Sequence, residues 1–215
     1  PNYVFPMLKG SNVRKWNISY DTYLLCPHTS ETKMWPVPQT VLEEEAPDTL
    51  EYLKYFKEDL DARKGFAGWE KEIQKQEFQA ILRIGEYTFS PYKVIWKYIA
   101  SEFVCAVISN VDDEFLGNKM ILPNEKIMYV SFEDEDEAYY LCGILSSTLV
   151  ANCVKSYMNP TSISAHVLDK LNIPTFDRNN NDHIAIAQEC KNGHGKKDIS
   201  EYVRRIDTIV SRMYQ

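Results

Sequence analysis

The spacing of apolar residues changes several times along the chain, and each change marks an element. YVFPML (3–8) and DTYLLCP (21–27) alternate as half-buried strands do, with the polar stretch KGSNVRKW (9–16) as a turn between them. MWPVPQTVLEEEAP (34–47) is too rich in proline to continue a strand or a helix and is expected to be a connecting loop. Asp48 then stands three residues before Glu51, the spacing of a capping box, and Leu50, Leu53, Phe56 and Leu60 follow at helical intervals until Gly65. This pattern predicts a helix over 48–64 with Leu53 and Phe56 buried, and a second helix over 69–78.

The middle of the chain is strand-rich. YKVIWKYI (92–99), EFVCAVIS (102–109), NKMILP (118–123) and EKIMYVSF (125–132) are β-branched or aromatic and bounded by polar or proline-containing turns. The acidic run EDEDE (133–137) places Asp134 and Glu137 at capping-box spacing and opens an apolar helix over 138–157. Two further helices are expected at about 181–191 and 198–214, the second with Ile199, Val203, Ile206, Val210 and Met213 on one face. Together these patterns predict an α+β (mixed α/β) fold: a mixed or antiparallel sheet with flanking helices.

Composition narrows the class. At 215 residues, 44% apolar and 13% aromatic, the chain can fill a real core. No run approaches eighteen apolar residues, and PNYVFPMLKG lacks the basic and apolar regions of a secretion signal, so a soluble cytoplasmic protein without membrane contact is expected. Pro1 opens a strand-like segment with no initiator methionine, as an excised piece of a longer polypeptide would. The five cysteines have no CxxC spacing and are expected to be buried free thiols.

The formal charge of −7 opposes a nucleic-acid partner, but it is unevenly spread. Residues 36–72 hold ten acids against five bases and residues 112–137 nine against two, while the remainder holds seventeen bases against twelve acids. A basic face beside acidic lobes is compatible with that distribution.

Catalytic motifs are missing. A methyl-donor or dinucleotide site of the Rossmann type needs a glycine-rich strand-to-helix turn, whereas the one GxG here, Gly193-His194-Gly195, follows a helix and suits a C-cap and turn. Asn159-Pro160-Thr161-Ser162 lacks the second proline and the aromatic with which adenine-N6 methyltransferases hold a flipped base, and is expected to be a loop. Cys26-x-His28 and Cys190-x3-His194 are pairs, short of the three or four ligands of a zinc site. Neither a catalytic nor a metal-ligating residue is assigned.

Several stretches nevertheless occur in a recognisable order: YVFPMLKGSNVRKW, APDTLEYLKYFKEDLDARKGFAGWEKE, SPYKVIWKYIA, DEDEAYYLCGILSSTLVANCVKSY and SISAHVLDKLNIPTFDRNNNDHIAIA. Most specific are the block with Pro47, Tyr52, Leu53, Phe56, Leu60 and Arg63 and the block over 137–150. In this order and spacing the chain resembles the TaqI-like specificity domain that follows the catalytic domain in many adenine-N6 DNA methyltransferases and type IIG restriction-modification enzymes. The resemblance covers most of residues 3–190. It implies a target-recognition domain over 1–176 followed by a helical extension, 177–215, packed on it. It also implies sequence-specific recognition of double-stranded DNA for a methyltransferase catalytic domain of the same parent polypeptide. S-adenosylmethionine would then be the cofactor of that missing domain, with no cofactor in this chain and no catalysis by it alone.

Candidate DNA contacts follow from residue chemistry. Lys9, Gly10, Ser11, Arg14 and Lys15 form a turn that either is a solvated hairpin or approaches phosphates with backbone N–H groups and cations. Lys93 and Lys97 share one face of a strand, with Trp96 and Tyr98 on the other, core-facing side. Ser162 and His166 lie on a polar loop, where Ser164 is expected to cap the next helix. Two rival readings are a protein-interaction module and a self-sufficient metal-dependent hydrolase or nuclease, the latter drawing on the acids at 133–137.

Overall fold

Alternation over residues 3–8 becomes strand β1 (Val4–Leu8) in the computed structural model, which describes residues 2–214. It is followed by a small hairpin, β2 (Val13–Arg14) and β3 (Asn17–Ile18), and by β4 (Thr22–Leu25). Helices α1 (Gln39–Glu45), α2 (Pro47–Tyr55), α3 (Lys57–Asp61) and α4 (Trp69–Gln76) come next. Strands β5 (Tyr92–Lys97), β6 (Cys105–Ile108), β7 (Asn110–Asp113), β8 (Gly117–Met120), β9 (Leu122–Pro123) and β10 (Ile127–Phe132) form the middle. Helices α5 (Glu135–Ser146), α6 (Thr148–Tyr157), α7 (Asn181–Gly193) and α8 (Ser200–Met213) complete the described chain. The fold is α+β with mixed and antiparallel pairing, and no helix among the described residues is long and apolar enough to cross a membrane.

These elements divide into two units. The first comprises the described residues through Phe5, Tyr23–Phe89 and Glu114–Leu116. Tyr3, Val37, Leu42, Leu50, Leu53 and Phe78 form its core. Here the proline-rich stretch differs from expectation: Pro38 precedes α1, and Pro47 occupies the first turn of α2. Proline costs nothing at a first helical turn, where its missing N–H has no partner to lose, so these prolines start helices instead of preventing them.

Ala46, held outside helical geometry as residues before proline tend to be, is therefore the N-cap of α2. Asp48 lies inside the first turn and no capping box forms around it. The helix expected over 48–64 is also broken at Phe56, whose backbone (φ −100°, ψ 16°) ends α2 and starts α3. Leu53 is buried as expected, but Phe56 is 37% exposed and clusters outward with Tyr52 and Tyr55. Arg63 closes this region by donating to the carbonyls of Leu60, Phe78 and Ala80 at 2.8–2.9 Å.

The second unit comprises Pro6–Thr22, Ser90–Asp113 and the described residues from Gly117 on. Its centre is the antiparallel sheet β10-β5-β6, beside a parallel pairing of Met7 and Leu8 with Leu122 and Pro123. On one face Val94 and Trp96 pack among residues of α5 to α8; on the other, Ile95 packs with Leu8, Val13, Ala106, Ile121 and Ile127. Both faces of β5 are thus covered, which explains its near-continuous apolar run.

The helix expected over 138–157 is two helices. Ser147 breaks it in an extended conformation and caps α6 by accepting from the N–H of Val150, while Asp134 caps α5 by accepting from Glu137, as its spacing predicted. The helices α7 and α8 belong to this same unit, where α7 packs on α5 and α8 on α7. Gly143 is where α5 and α7 meet: a Cβ there would lie 2.6 Å from Ile186 Cγ2. Two smaller expectations fail. Cys153 is exposed on α6, and Ser164 precedes a 3-10 turn (Ala165–Lys170) without a side-chain capping bond.

In each unit desolvation holds one histidine neutral. His28 accepts at Nε2 from the N–H of Ile81 and faces the Lys33 carbonyl at 3.0 Å; His194 accepts at Nε2 from the N–H of Val107. Burial pushes both imidazoles down to about 4. As pH falls below the ordinary histidine value of about 6.5, the unfolded chain takes up protons that the folded chain refuses. Stability is therefore full above pH 6.5 and is lost progressively toward pH 4, by about 2 kcal/mol per histidine at pH 5. Urea midpoints measured between pH 7.5 and 5 should fall accordingly; a flat profile would contradict the buried, neutral state.

Candidate nucleic-acid interface

The candidate residues all lie in the second unit, and the hairpin β2–β3 organises them. Val13 is fully buried, so strand alternation turns its neighbour Arg14 outward. Trp16 ends the turn with a left-handed backbone (φ 55°) that non-glycine residues rarely adopt. It is held there on all sides. Its N–H donates to the Cys105 carbonyl at 3.0 Å, its carbonyl accepts from Gly195 at 2.9 Å, and its indole Nε1 donates to Ser146 Oγ at 2.7 Å. The ring stacks on His194 and lies over Gly193, where a Cβ would come within 2.6 Å of it.

With the hairpin anchored, Arg14 and Lys15 meet Lys97, the last residue of β5, on one open groove of about 290 Å³. The rest of its lining comes mainly from the turn that follows β5, with Ile99, Ala100, Ser101 and Glu102. Lys15 is partly engaged, donating to the Ser146 carbonyl at 2.7 Å. Gly10 lies beside the carbonyl of Lys126, which brings a further cation next to the turn of Gly10–Asn12. Lys9 pairs with Asp21 at 3.4 Å in an exposed contact, and Ser11 is exposed on the same turn. Ser162 donates to the Tyr98 hydroxyl at 2.8 Å, next to Lys97. His166 is exposed and paired with Asp169 at 2.9 Å, away from the groove lining.

Lys93 is the correction. It is 1% exposed, and its ammonium donates to the Ser90 carbonyl at 2.7 Å beside Met120 Sδ. Desolvation pushes it down to about 8, with the Glu133 carboxylate opposing the shift. Alternation placed it correctly on the side of Lys97, but that side is covered near the start of the strand and open at its last residue.

Two clusters bear on other chemistries. Cys105, Cys142, Cys190 and His194 come together in the core, with Cys105 Sγ 3.7 Å from Cys142 Sγ and the ligand atoms of the other three residues within 4.8 Å of one another. Spacing alone would suit a metal ion. His194, however, uses both ring nitrogens: Nδ1 donates to the Cys190 carbonyl at 2.6 Å and Nε2 accepts from Val107. The thiols are raised, Cys105 by its hydrogen bond with Cys142 and then by burial, Cys142 and Cys190 chiefly by burial. Three of the five acids at 133–137 are likewise engaged. Arg178 pairs with Asp134 and Asp136, and Lys191 with Glu135.

Sequence reasoning missed Ile99, Ser101, Glu102 and Lys126. For Ile99 a signal existed, because it shares the parity of Lys97 just where the strand's apolar run ends. The Cys105–Cys142–Cys190 grouping had none, since it depends on how β6, α5 and α7 pack.

No family model matches the chain. It is 26% identical over 178 residues to "Type II methyltransferase M.NspV" of Nostoc sp., a stretch that is 80% of this chain and 34% of that protein. The chain thus spans about a third of the length of this curated relative.

Because Trp16 sets the position of Arg14 and Lys15, its substitution tests the anchor. Trp16→Phe keeps an apolar ring but removes the donor to Ser146, whose buried hydroxyl then has only the Cys105 thiol, at 3.2 Å. A loss of about 1–3 kcal/mol in urea unfolding is expected, and a loss below 0.5 kcal/mol would show that the indole bond does not hold the hairpin.

Proposed function

We propose that this chain is the DNA target-recognition part of an adenine-N6 methyltransferase or a fused restriction-modification enzyme. In this reading it positions duplex DNA for a catalytic domain that it does not itself contain. The observation that carries the reading is the convergence of Arg14, Lys15 and Lys97, distant in sequence, on one open groove. Phosphates are held by such clusters of cations beside backbone N–H groups, and base edges are read by the side chains between them. Similarity to a Type II methyltransferase over a third of its length agrees with a part in DNA methylation, and so does the order of the blocks resembling TaqI-like specificity domains.

Charge is distributed in keeping with this. The first unit carries fourteen acids against eight bases, the second seventeen against sixteen. Several of the second unit's acids are already paired, including Asp134, Glu135, Asp136, Asp182 and Glu189. The same pairing weighs against a nuclease centre at 133–137, where a divalent ion would have to displace Arg178 and Lys191.

Ser162, Lys9 and His166 are not among the residues that line the groove, and the buried Lys93 has no part in the proposed face. In this reading the parent enzyme's S-adenosylmethionine binds elsewhere. Titration calorimetry of this chain with S-adenosylmethionine is expected to give no stoichiometric heat, and stoichiometric binding would overturn the division of labour.

The decisive measurement is the salt dependence of duplex binding by the full-length gene product. Each phosphate contact releases counterions and contributes about 0.9 to the slope of log affinity against log salt. Neutralising Arg14 and Lys97 together, as Arg14→Gln and Lys97→Gln, should flatten the slope by about two units and weaken all sequences alike. Unchanged affinity and slope would place the DNA on another surface.

A further inference from the structure

The basic groove has an apolar side chain in it that packing does not explain. Ile99 is 56% exposed, although it directly follows the buried strand β5 and lines the same groove as Arg14 and Lys97. Lone exposed aliphatic residues are common on protein surfaces and ordinarily mean nothing. What distinguishes this one is how firmly its backbone is held. Tyr98 donates its N–H to the Lys126 carbonyl at 2.9 Å and accepts from Ile163 at 2.6 Å, and Ala100 donates to the Pro160 carbonyl at 2.9 Å. The Tyr98 hydroxyl accepts from Ser162. Both neighbours of Ile99 are thus tied down, one of them on two sides, and the side chain is presented to solvent from a rigid support.

Glu102 supplies the second observation. It is an acidic residue lining a groove with three cations. A carboxylate repels phosphate, so the backbone of a bound duplex is favoured along the Arg14 and Lys97 side, and bases rather than phosphates face the turn over 99–102. There a carboxylate can accept from a cytosine or adenine amino group, and an aliphatic side chain can contact the C5-methyl of thymine, the one apolar group on the major-groove edge of a base pair.

We infer that Ile99 is a specificity-determining residue that reads a thymine C5-methyl in the major groove. This rests on the DNA-recognition reading above and adds to it a named residue and a chemical group on the base. The hydrogen-bonded flanks favour the role: the methyl is removed from water against a side chain carried on a backbone that is already held, with little backbone entropy left to lose.

The test uses the full-length gene product that carries this chain and a randomised duplex library, from which the bound sequence is selected. Each thymine of that sequence is then replaced singly by deoxyuridine, which lacks only the methyl group. The wild-type protein should lose about fourfold in affinity at one position, the contact of one methyl-sized group. Ile99→Ala, at an exposed site where folding is unaffected, should bind the thymine duplex more weakly and show no further loss at that position. Ile99→Val should fall between them.

Equal deoxyuridine losses in wild type and Ile99→Ala at every position would overturn the inference, as would a wild type insensitive to every replacement or a selected sequence without thymine. If the Arg14 and Lys97 variants still flatten the salt slope in that case, only the methyl contact is wrong. If they do not, or if no sequence is selected, the DNA-facing groove itself is wrong.

Discussion

The burial of Trp16 is the interaction on which the candidate interface depends. A fully buried indole removes on the order of 200 Å² from water, about 5 kcal/mol at the usual coefficient. The left-handed backbone at the same residue costs roughly 1–2 kcal/mol. Burial wins by a clear margin, so a conformation that would not persist in an isolated peptide is stable here. Its consequence is positional. The hairpin that carries Arg14 and Lys15 is bolted to α5 through Ser146 and to the end of α7 through Gly193 and Gly195, so these cations are held by the core and not by a mobile loop.

Strand β5 shows how one rule of alternation can give two outcomes. Lys93 and Lys97 have the same parity and point to the same side of the sheet, with Ile95 between them. Lys93 stands opposite Ser131 and Ile108, with partners on both flanks and a covered face above it. Lys97 is the last residue of the strand, opposite Ile127, the first of β10. The buried ammonium keeps a hydrogen bond to Ser90, which limits the penalty of losing water, while the terminal one faces the groove. Parity sets direction only; whether a direction leads to solvent depends on what lies above the sheet.

Features set by local chemistry were therefore legible in the sequence. The capping acid Asp134, the apolar stripe of α8, the strands of the middle region and the turn at Gly195 each rest on residues within a few positions of one another. The failures have two kinds of cause. At Pro38, Pro47 and Phe56, residues that break helices act as helix boundaries, and their effect depends on which side of the break each segment falls. At Lys93, the thiol cluster and the groove itself, the outcome depends on contacts between segments tens of residues apart. Of the candidate interface, the turn over 9–15 and Lys97 were visible one by one. Their meeting was expected only as a consequence of the DNA reading, with Lys93 included, and not from any residue pattern. Ile99 lay unnoticed because an apolar residue after an apolar strand attracts no question.

The charge of the whole chain is a poor guide to any one face for a related reason. A net value of −7 describes the field far from the protein, yet at physiological ionic strength charges separated by more than about 8 Å are largely screened from one another. A phosphate at the groove would meet Arg14, Lys15 and Lys97 with Glu102, a local balance of opposite sign. An acidic protein can thus carry a phosphate-binding face provided that its acids are either distant or already paired. Arg178 and Lys191 supply that pairing for the acidic run that opens α5, and so the carboxylates that dominate the composition are partly neutralised by cations that composition would otherwise have counted toward DNA.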